Sequence, residues 1–128
     1  MAKQYPESKV TIVCGPLCTS LFEGYPNLQD IIPLKKESWN RHWGKLWGQV
    51  IETHWDMVVD IRNSAVSRLI FAGERHIYGK HIPKTLHKVE QAAAMMKLDH
   101  VPDPKLWFTA DQKKKAKALI PDGGKVLG

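Results

Sequence analysis

HWDMVVDIRNSAVSRLIFAGERHIYGK, residues His54 to Lys80, decides how this chain is read. Met57, Val58 and Val59, followed by Asp60 and Ile61, form a short apolar run and read as a buried strand. Arg62, Asn63 and Ser64 come next. An apolar helical pattern then starts, with Ala65, Leu69, Ile70 and Ala72 expected to face inward and Gly73 to close it. Arg75 to Tyr78 reads as another short strand. A strand that ends on a hydrogen-bonding cluster, with a helix directly behind it, is the pattern of a parallel α/β sheet. Ligands in such sheets sit beyond the carboxyl ends of the strands. Asn63 or Ser64 can cap the helix. Free backbone N–H groups at the helix start favour an anion, and Arg62 adds a forked cationic donor. The competing reading is a purely local cap with a solvated Arg62.

Outward from this stretch the alternation continues. Lys9 to Cys14, KVTIVC, reads as a buried strand ended by Gly15 and Pro16. Cys18 to Gly24 holds a short helix. Asp30 to Leu34 reads as a brief strand whose Pro33 fits an edge. Ser38 is the expected N-cap of a helix lasting to about Thr53. In that helix Trp39, Trp43 and Trp47 share one face with Val50 and Ile51, and they are expected to pack into the core. Gly44 and Gly48 weaken this helix and would permit close packing against a neighbour. Thr85 is the expected cap of a helix from Leu86 to about Leu98, with Leu86, Val89, Ala93 and Met96 as its stripe. Val101 to Lys105 is a proline-rich connector. Thr109 and Gln112 match a capping box opening a helix to about Ile120. Pro121, Gly123 and Gly124 stop that helix, and the final KVLG reads as a strand just beginning. The expected fold class is α/β, a Rossmann-like, mainly parallel, doubly wound sheet.

The 128 residues suffice for one domain with a core, and 43% hydrophobic with 25% charged residues is a globular composition. No apolar run approaches the roughly 18 residues of a membrane span, and MAKQYPESK has no apolar signal-peptide core, so a cytoplasmic location is expected. The formal charge of +6 favours anionic partners. Lys113, Lys114, Lys115 and Lys117 supply four of the positive charges, a run that reads first as a solvated helix face. Cys14 and Cys18 are spaced C-x3-C, which is neither the redox nor the zinc pattern, and they read as reduced thiols.

The order and spacing of several short pieces resemble glycosyltransferase family 9, the bacterial ADP-heptose:lipopolysaccharide heptosyltransferases and their relatives. These pieces are Tyr5-Pro6 with the V-T-x-x-x-G strand after it, and the E-G-x-P turn at Glu23 to Pro26. They continue with the D-x-V-x-D strand at Asp56 to Asp60, G-x-R-x-x-x-G at Gly73 to Gly79, and H-x-V-E at His87 to Glu90. The resemblance covers residues 5 to about 121. It implies a GT-B architecture of two Rossmann-like domains, and an inverting, metal-independent transfer of a heptose or related sugar from a nucleotide-sugar to a phosphorylated lipopolysaccharide-core acceptor. On that pattern residues 1–100 correspond to part of the acceptor-side domain, 101–108 to the interdomain connector, and 109–128 to the first helix and strand start of the donor domain. The family's first strand, whose loop carries the catalytic aspartate, has no counterpart here, and neither does the donor domain. The resemblance therefore implies no catalytic residue, no cofactor and no metal site in this chain. It implies an ADP-heptose-like donor only for a full-length enzyme, and a fragment that binds acceptor without turnover. The missing strand is central in the order 3-2-1-4-5. Its absence implies a marginal chain that pairs the flanking strands directly or associates with itself.

An acidic, phosphorylated acceptor calls for Arg and Lys. The resemblance places Arg62, Asn63 and Ser64 at a strand end facing the cleft. It places Lys80, His81 and Lys84 in the loop after the next strand, and His87 at a helix start. The expected acceptor-binding residues are Arg62, Asn63, Ser64, Lys84 and His87. For His87 a backbone-bonded helix start is the competing reading, and for Arg68 and Arg75 it is structural pairing. Asp60 is expected to order the loop behind it, not to act as a base. The tryptophan helix with Lys35, Lys36, Arg41 and Lys45 is compatible with peripheral contact at the inner face of the inner membrane. Two other classes stay open, a non-catalytic transferase remnant and a basic nucleic-acid-binding module. The second is disfavoured because no helix-turn-helix, zinc-finger or RNA-recognition signature is present.

Overall fold

A computed structural model describes residues 5–120 of the chain. The architecture is mixed α/β. In chain order the elements are β1 (Val10–Cys14), a 3-10 turn at Pro16–Cys18, α1 (Thr19–Phe22), β2 (Leu28–Pro33), a 3-10 turn at Ser38–Asn40, α2 (Arg41–Val50), β3 (Trp55–Asp60), α3 (Val66–Leu69), β4 (Ala72–Ile77), α4 (Lys88–Met95) and α5 (Ala110–Leu119). The expected stop of the last helix at Pro121, Gly123 and Gly124, and the strand start at KVLG, lie outside the described residues.

The strands form two two-stranded sheets among the described residues, β1 with β2 and β3 with β4. Both pairs are parallel. The single doubly wound sheet expected from the alternation is therefore corrected to two short parallel pairs, and neither pair joins β1 to β3. Hydrophobic periodicity identifies strands, but it carries no information on which edges meet. Pro33 sits at the end of β2 opposite Cys14, where its missing N–H breaks no internal ladder.

Two compact units account for these elements. Unit 1 contains β1, α1, β2 and α5, drawn from residues 5–35 and 105–120. No residue in its described part is buried. Its packing is built on close backbone approach: a Cβ on Gly24 would lie 2.6 Å from the Trp107 carbonyl oxygen, so the E-G-x-P turn needs glycine for space. Tyr25 meets the Trp107 ring edge-on at 4.7 Å between centroids. The Thr109 capping box forms as expected, with Gln112 N–H donating to Thr109 Oγ1 and Thr109 N–H to Gln112 Oε1. Gln112 Nε2 then donates to the Ser20 carbonyl at 2.9 Å, tying α5 to α1.

Unit 2 comprises residues 36–104 and holds every buried side chain of the described chain: Leu46, Val50, Val66, Ile70, Ile82, Ala93 and Met95, with the polar His42, Ser67, His76 and Gln91 among them. The expected tryptophan core is overturned here. Of the expected face α2 buries Val50, and beside it His42 and Leu46, each one position before a tryptophan of the stripe. Trp39 is 95% exposed and Trp47 42%. The helix starts at Arg41 because Trp39 and Asn40 both take left-handed backbone, with φ of 59° and 55°, and this breaks the continuous i, i+4 row. Ser38 makes no capping bond. Such backbone costs of order 1–3 kcal/mol per non-glycine residue. Nothing lies within van der Waals reach of a Cβ at Gly44 or Gly48, so neither serves close packing.

Three other boundaries move. The helix after β3 is only four residues long. Val66, Ser67 and Ile70 face inward, whereas Leu69 is 63% exposed and Ala65 lies outward. Gly73 lies inside β4, where a Cβ would stand 2.9 Å from the Asp56 carbonyl oxygen on β3. It permits strand pairing and does not close a helix. α4 begins at Lys88 with His87 as its cap in place of Thr85, and its buried residues are Gln91, Ala93 and Met95.

Candidate functional site

The carboxyl ends of β3 and β4 lie on one side of their parallel pair, and the loops leaving them form the candidate site. The first loop is built around Asp60. Its Oδ1 accepts the Arg62 N–H at 2.8 Å, and its Oδ2 accepts the Ser64 N–H at 2.6 Å and the Ser64 hydroxyl at 2.8 Å. Burial on its own pushes this carboxyl up. The Ser67 hydroxyl and the donors of Arg62 and Ser64 more than reverse that, and they hold the group below the usual carboxylate range. The Ser67 hydroxyl donates within bonding distance to the Ser64 carbonyl oxygen, at 2.9 Å. The three donors of Arg62 and Ser64 are therefore the stronger cause.

β3, expected as a buried strand, has no buried residue, and Val59 is 37% exposed; it ends on a polar cluster because Asp60 organises the return of the chain. The point also corrects an expectation. The backbone N–H groups read as an anion site are occupied by the chain's own carboxylate, and neither Asn63 nor Ser64 caps α3. Its N-cap is Ala65, with no side-chain bond. Asn63 takes left-handed backbone at φ 58°, as Asn does most readily after Gly. Its Oδ1 accepts from Arg68, which also donates to the Ser64 carbonyl at 3.1 Å. Arg75 donates to the carbonyls of Ser67, Ala72 and Ile70, closing the α3–β4 turn. Both of these arginines have structural roles. The Arg62 guanidinium is exposed and makes no hydrogen bond or ion pair among the described residues.

The second loop follows β4. Tyr78 N–H donates to the Asp60 carbonyl at 2.8 Å, fixing the two strand ends together. Gln91, 3% exposed, then organises residues 79–87 from α4. Its Nε2 donates to the Leu86 carbonyl at 2.8 Å and the Lys84 carbonyl at 3.3 Å, and its Oε1 accepts from the Tyr78 hydroxyl and from Lys88 Nζ. Lys80 and Lys84 are exposed. His87 is the N-cap of α4. Its Nδ1 accepts the Val89 N–H at 3.5 Å, and Glu90 Oε2 accepts the His87 N–H at 2.6 Å. The H-x-V-E run is thus a capping box, the competing reading given for His87.

Of the five expected site residues, Arg62 and Lys84 have side chains free to meet a ligand. Ser64 gives its hydroxyl to Asp60, whereas Asn63 and His87 are exposed and use one side-chain atom each inside the fold, Oδ1 and Nδ1. Sequence reasoning missed Gln91 and Tyr78, which hold the two loops in register. A glutamine inside an amphipathic helix carries no periodic signal that could have found it. Among the described residues no group of three or more His, Cys, Asp or Glu side chains could hold a metal ion, and no helix is long and apolar enough to cross a membrane. Cys14 and Cys18 are free thiols, and burial with the nearby Cys18 raises the Cys14 thiol above its usual value. No family model, curated protein or solved structure matches the chain.

Proposed function

We propose that this chain is acceptor-side material of a GT-B glycosyltransferase of the family 9 type. It binds a phosphorylated, acidic oligosaccharide of the lipopolysaccharide-core kind. The observation that carries the reading is the parallel β3–β4 pair, with an Asp60-ordered loop that leaves the Arg62 guanidinium free beside a second basic loop. The strand pairing adds support. If the central strand of a 3-2-1-4-5 order is left out, the second strand pairs with the third and the fourth with the fifth, all parallel. β1 pairs with β2 and β3 with β4 in that way. Arg62 is the principal anion ligand, with Lys84 and Lys80 from the second loop. Asn63, Ser64 and His87 act by holding the loops in place. No catalytic residue, cofactor or metal is assigned, and the nucleotide-sugar donor belongs to a full-length enzyme.

Titration calorimetry with a deacylated, phosphorylated inner-core oligosaccharide tests the reading. Arg62→Ala should weaken binding about ten-fold, the worth of one charge-assisted bidentate contact, and leave any affinity for duplex DNA unchanged. Absence of binding, or equal affinities for the two proteins, overturns the acceptor reading. Duplex DNA binding that falls steeply with salt would favour the nucleic-acid alternative.

A further inference from the structure

Trp39 is 95% exposed and sits in left-handed backbone, followed by a second left-handed residue, Asn40. Glycine is the residue that such backbone accepts without strain, yet a bulky indole occupies it. The two-residue break turns Trp39 off the row it would share with Trp43 and Trp47 and holds its ring in solvent. The indole makes no hydrogen bond among the described residues. On α2 itself Trp47 is 42% exposed, flanked by Gly44 and Gly48, above which a Cβ would meet open space. The surroundings are cationic. From Lys36 to Trp47 the chain carries Lys36, Arg41 and Lys45 against the single carboxylate of Glu37, a net charge of +2. Lys45 is engaged with Glu37 at 2.6 Å, whereas Lys36 and Arg41 are exposed and unpaired among the described residues.

We infer that this segment is a docking surface for an anionic lipid bilayer, with Trp39 inserted at the headgroup level and Lys36 and Arg41 against lipid phosphates. Indole prefers this depth because its ring is apolar and its N–H still finds a polar partner. Two free cations are too few for tight nucleic-acid binding, which depends on neutralising many phosphates. They complement an apolar anchor, where each basic residue near a charged leaflet strengthens binding about five-fold. The inference does not rest on the acceptor reading, since the lipid surface needs no core sugar.

The test is sedimentation of the chain with vesicles of pure phosphatidylcholine and with vesicles containing phosphatidylglycerol, read alongside quenching of tryptophan fluorescence by acrylamide. Binding is expected only to the anionic vesicles, with a blue shift and loss of quenching, and it should weaken as salt is raised. Trp39→Ala should reduce affinity about ten-fold and leave the circular dichroism unchanged. Trp39→Gly should weaken binding by the same factor while raising the thermal midpoint, because glycine relieves the left-handed strain. Lys36→Ala with Arg41→Ala should lower affinity on the order of 25-fold, from two cations. Failure to bind anionic vesicles overturns the inference, as does equal binding by Trp39→Ala. A Trp39-dependent affinity for single-stranded nucleic acid exceeding that for vesicles would assign the surface to base stacking instead.

Discussion

Asp60 accepts three hydrogen bonds from two residues that follow it closely in sequence, and this decides what the polar strand end does. Asp60→Ala should cost about 2 kcal/mol, less than three charge-assisted bonds would give in a dry core because the carboxylate is only half-buried. Its folded value is lowered, so its stabilisation is complete above the unfolded value near about 4 and is lost as pH falls through the lower folded value. Urea midpoints at pH 7 and pH 3 should therefore differ more in the wild type than in Asp60→Asn. Equal differences would show that the carboxylate orders nothing. His87 has a different task. His87→Ala and Glu90→Ala should each destabilise α4 by about 1 kcal/mol, the usual worth of a cap. His87→Asn should restore stability, since Asn caps well. If the Asn variant also kept full oligosaccharide affinity, His87 would be a cap alone. A loss of affinity at intact stability would return it to the ligand.

Among the elements, the β3–β4 pair positions the site, and its closeness depends on a residue with no side chain. A Cβ at Gly73 would stand 2.9 Å from a backbone oxygen of β3, and backbone cannot swing aside as a long side chain can. Gly73→Ala should cost about 1–3 kcal/mol through strain in the pair, measured by chemical denaturation. It should also loosen the Asp60–Tyr78 link, visible as faster exchange of the Tyr78 amide. A neutral Gly73→Ala would mean that the strands separate without penalty. α2 shows the opposite relation between pattern and packing. Its tryptophans repeat every four residues, yet the helix buries His42, Leu46 and Val50. Large aromatic side chains at helical spacing define a face, but they do not say whether that face meets protein or another apolar phase.

At the scale of the whole molecule, the buried side chains belong to unit 2, and no described side chain falls below 2% exposed. Two-stranded parallel sheets are weak by themselves, because parallel strands are stable chiefly when covered on both faces. Leu17, Ile61, Leu69, Phe71 and Leu119 are all more than half exposed. The expectation of a marginal chain therefore takes a specific form. Amide exchange should be slowest in β3, β4 and α4, while β1 and β2 exchange within the dead time of a manual experiment. Uniform protection, or a single cooperative unfolding transition near about 10 kcal/mol, would contradict this.

Local chemistry made some of this legible without coordinates. The first three strands were readable as short apolar runs bounded by Gly, Pro and Asp, whereas only the second half of β4 was, because Ala72 and Gly73 read as the end of a helix. The Thr109–Gln112 capping box was readable because a cap is made between residues three apart, whereas the role of Asp60 in ordering the loop behind it was implied by the family resemblance alone. The sequence also determined the surplus of positive charge. Other features needed the fold, because they depend on groups far apart along the chain or on a backbone angle that composition does not encode. The division into two parallel pairs is one, since pairing is chosen between strand edges that look alike in sequence. The closure of the loop N–H groups by Asp60 spans only two to four residues, but it goes with the left-handed backbone of Asn63, which the sequence does not announce. Gly73 lying under Asp56 and Gln91 accepting from Tyr78 are contacts between residues well separated along the chain. The outward turn of Trp39 rests on two left-handed residues that interrupt a sequence whose spacing reads as unbroken helix.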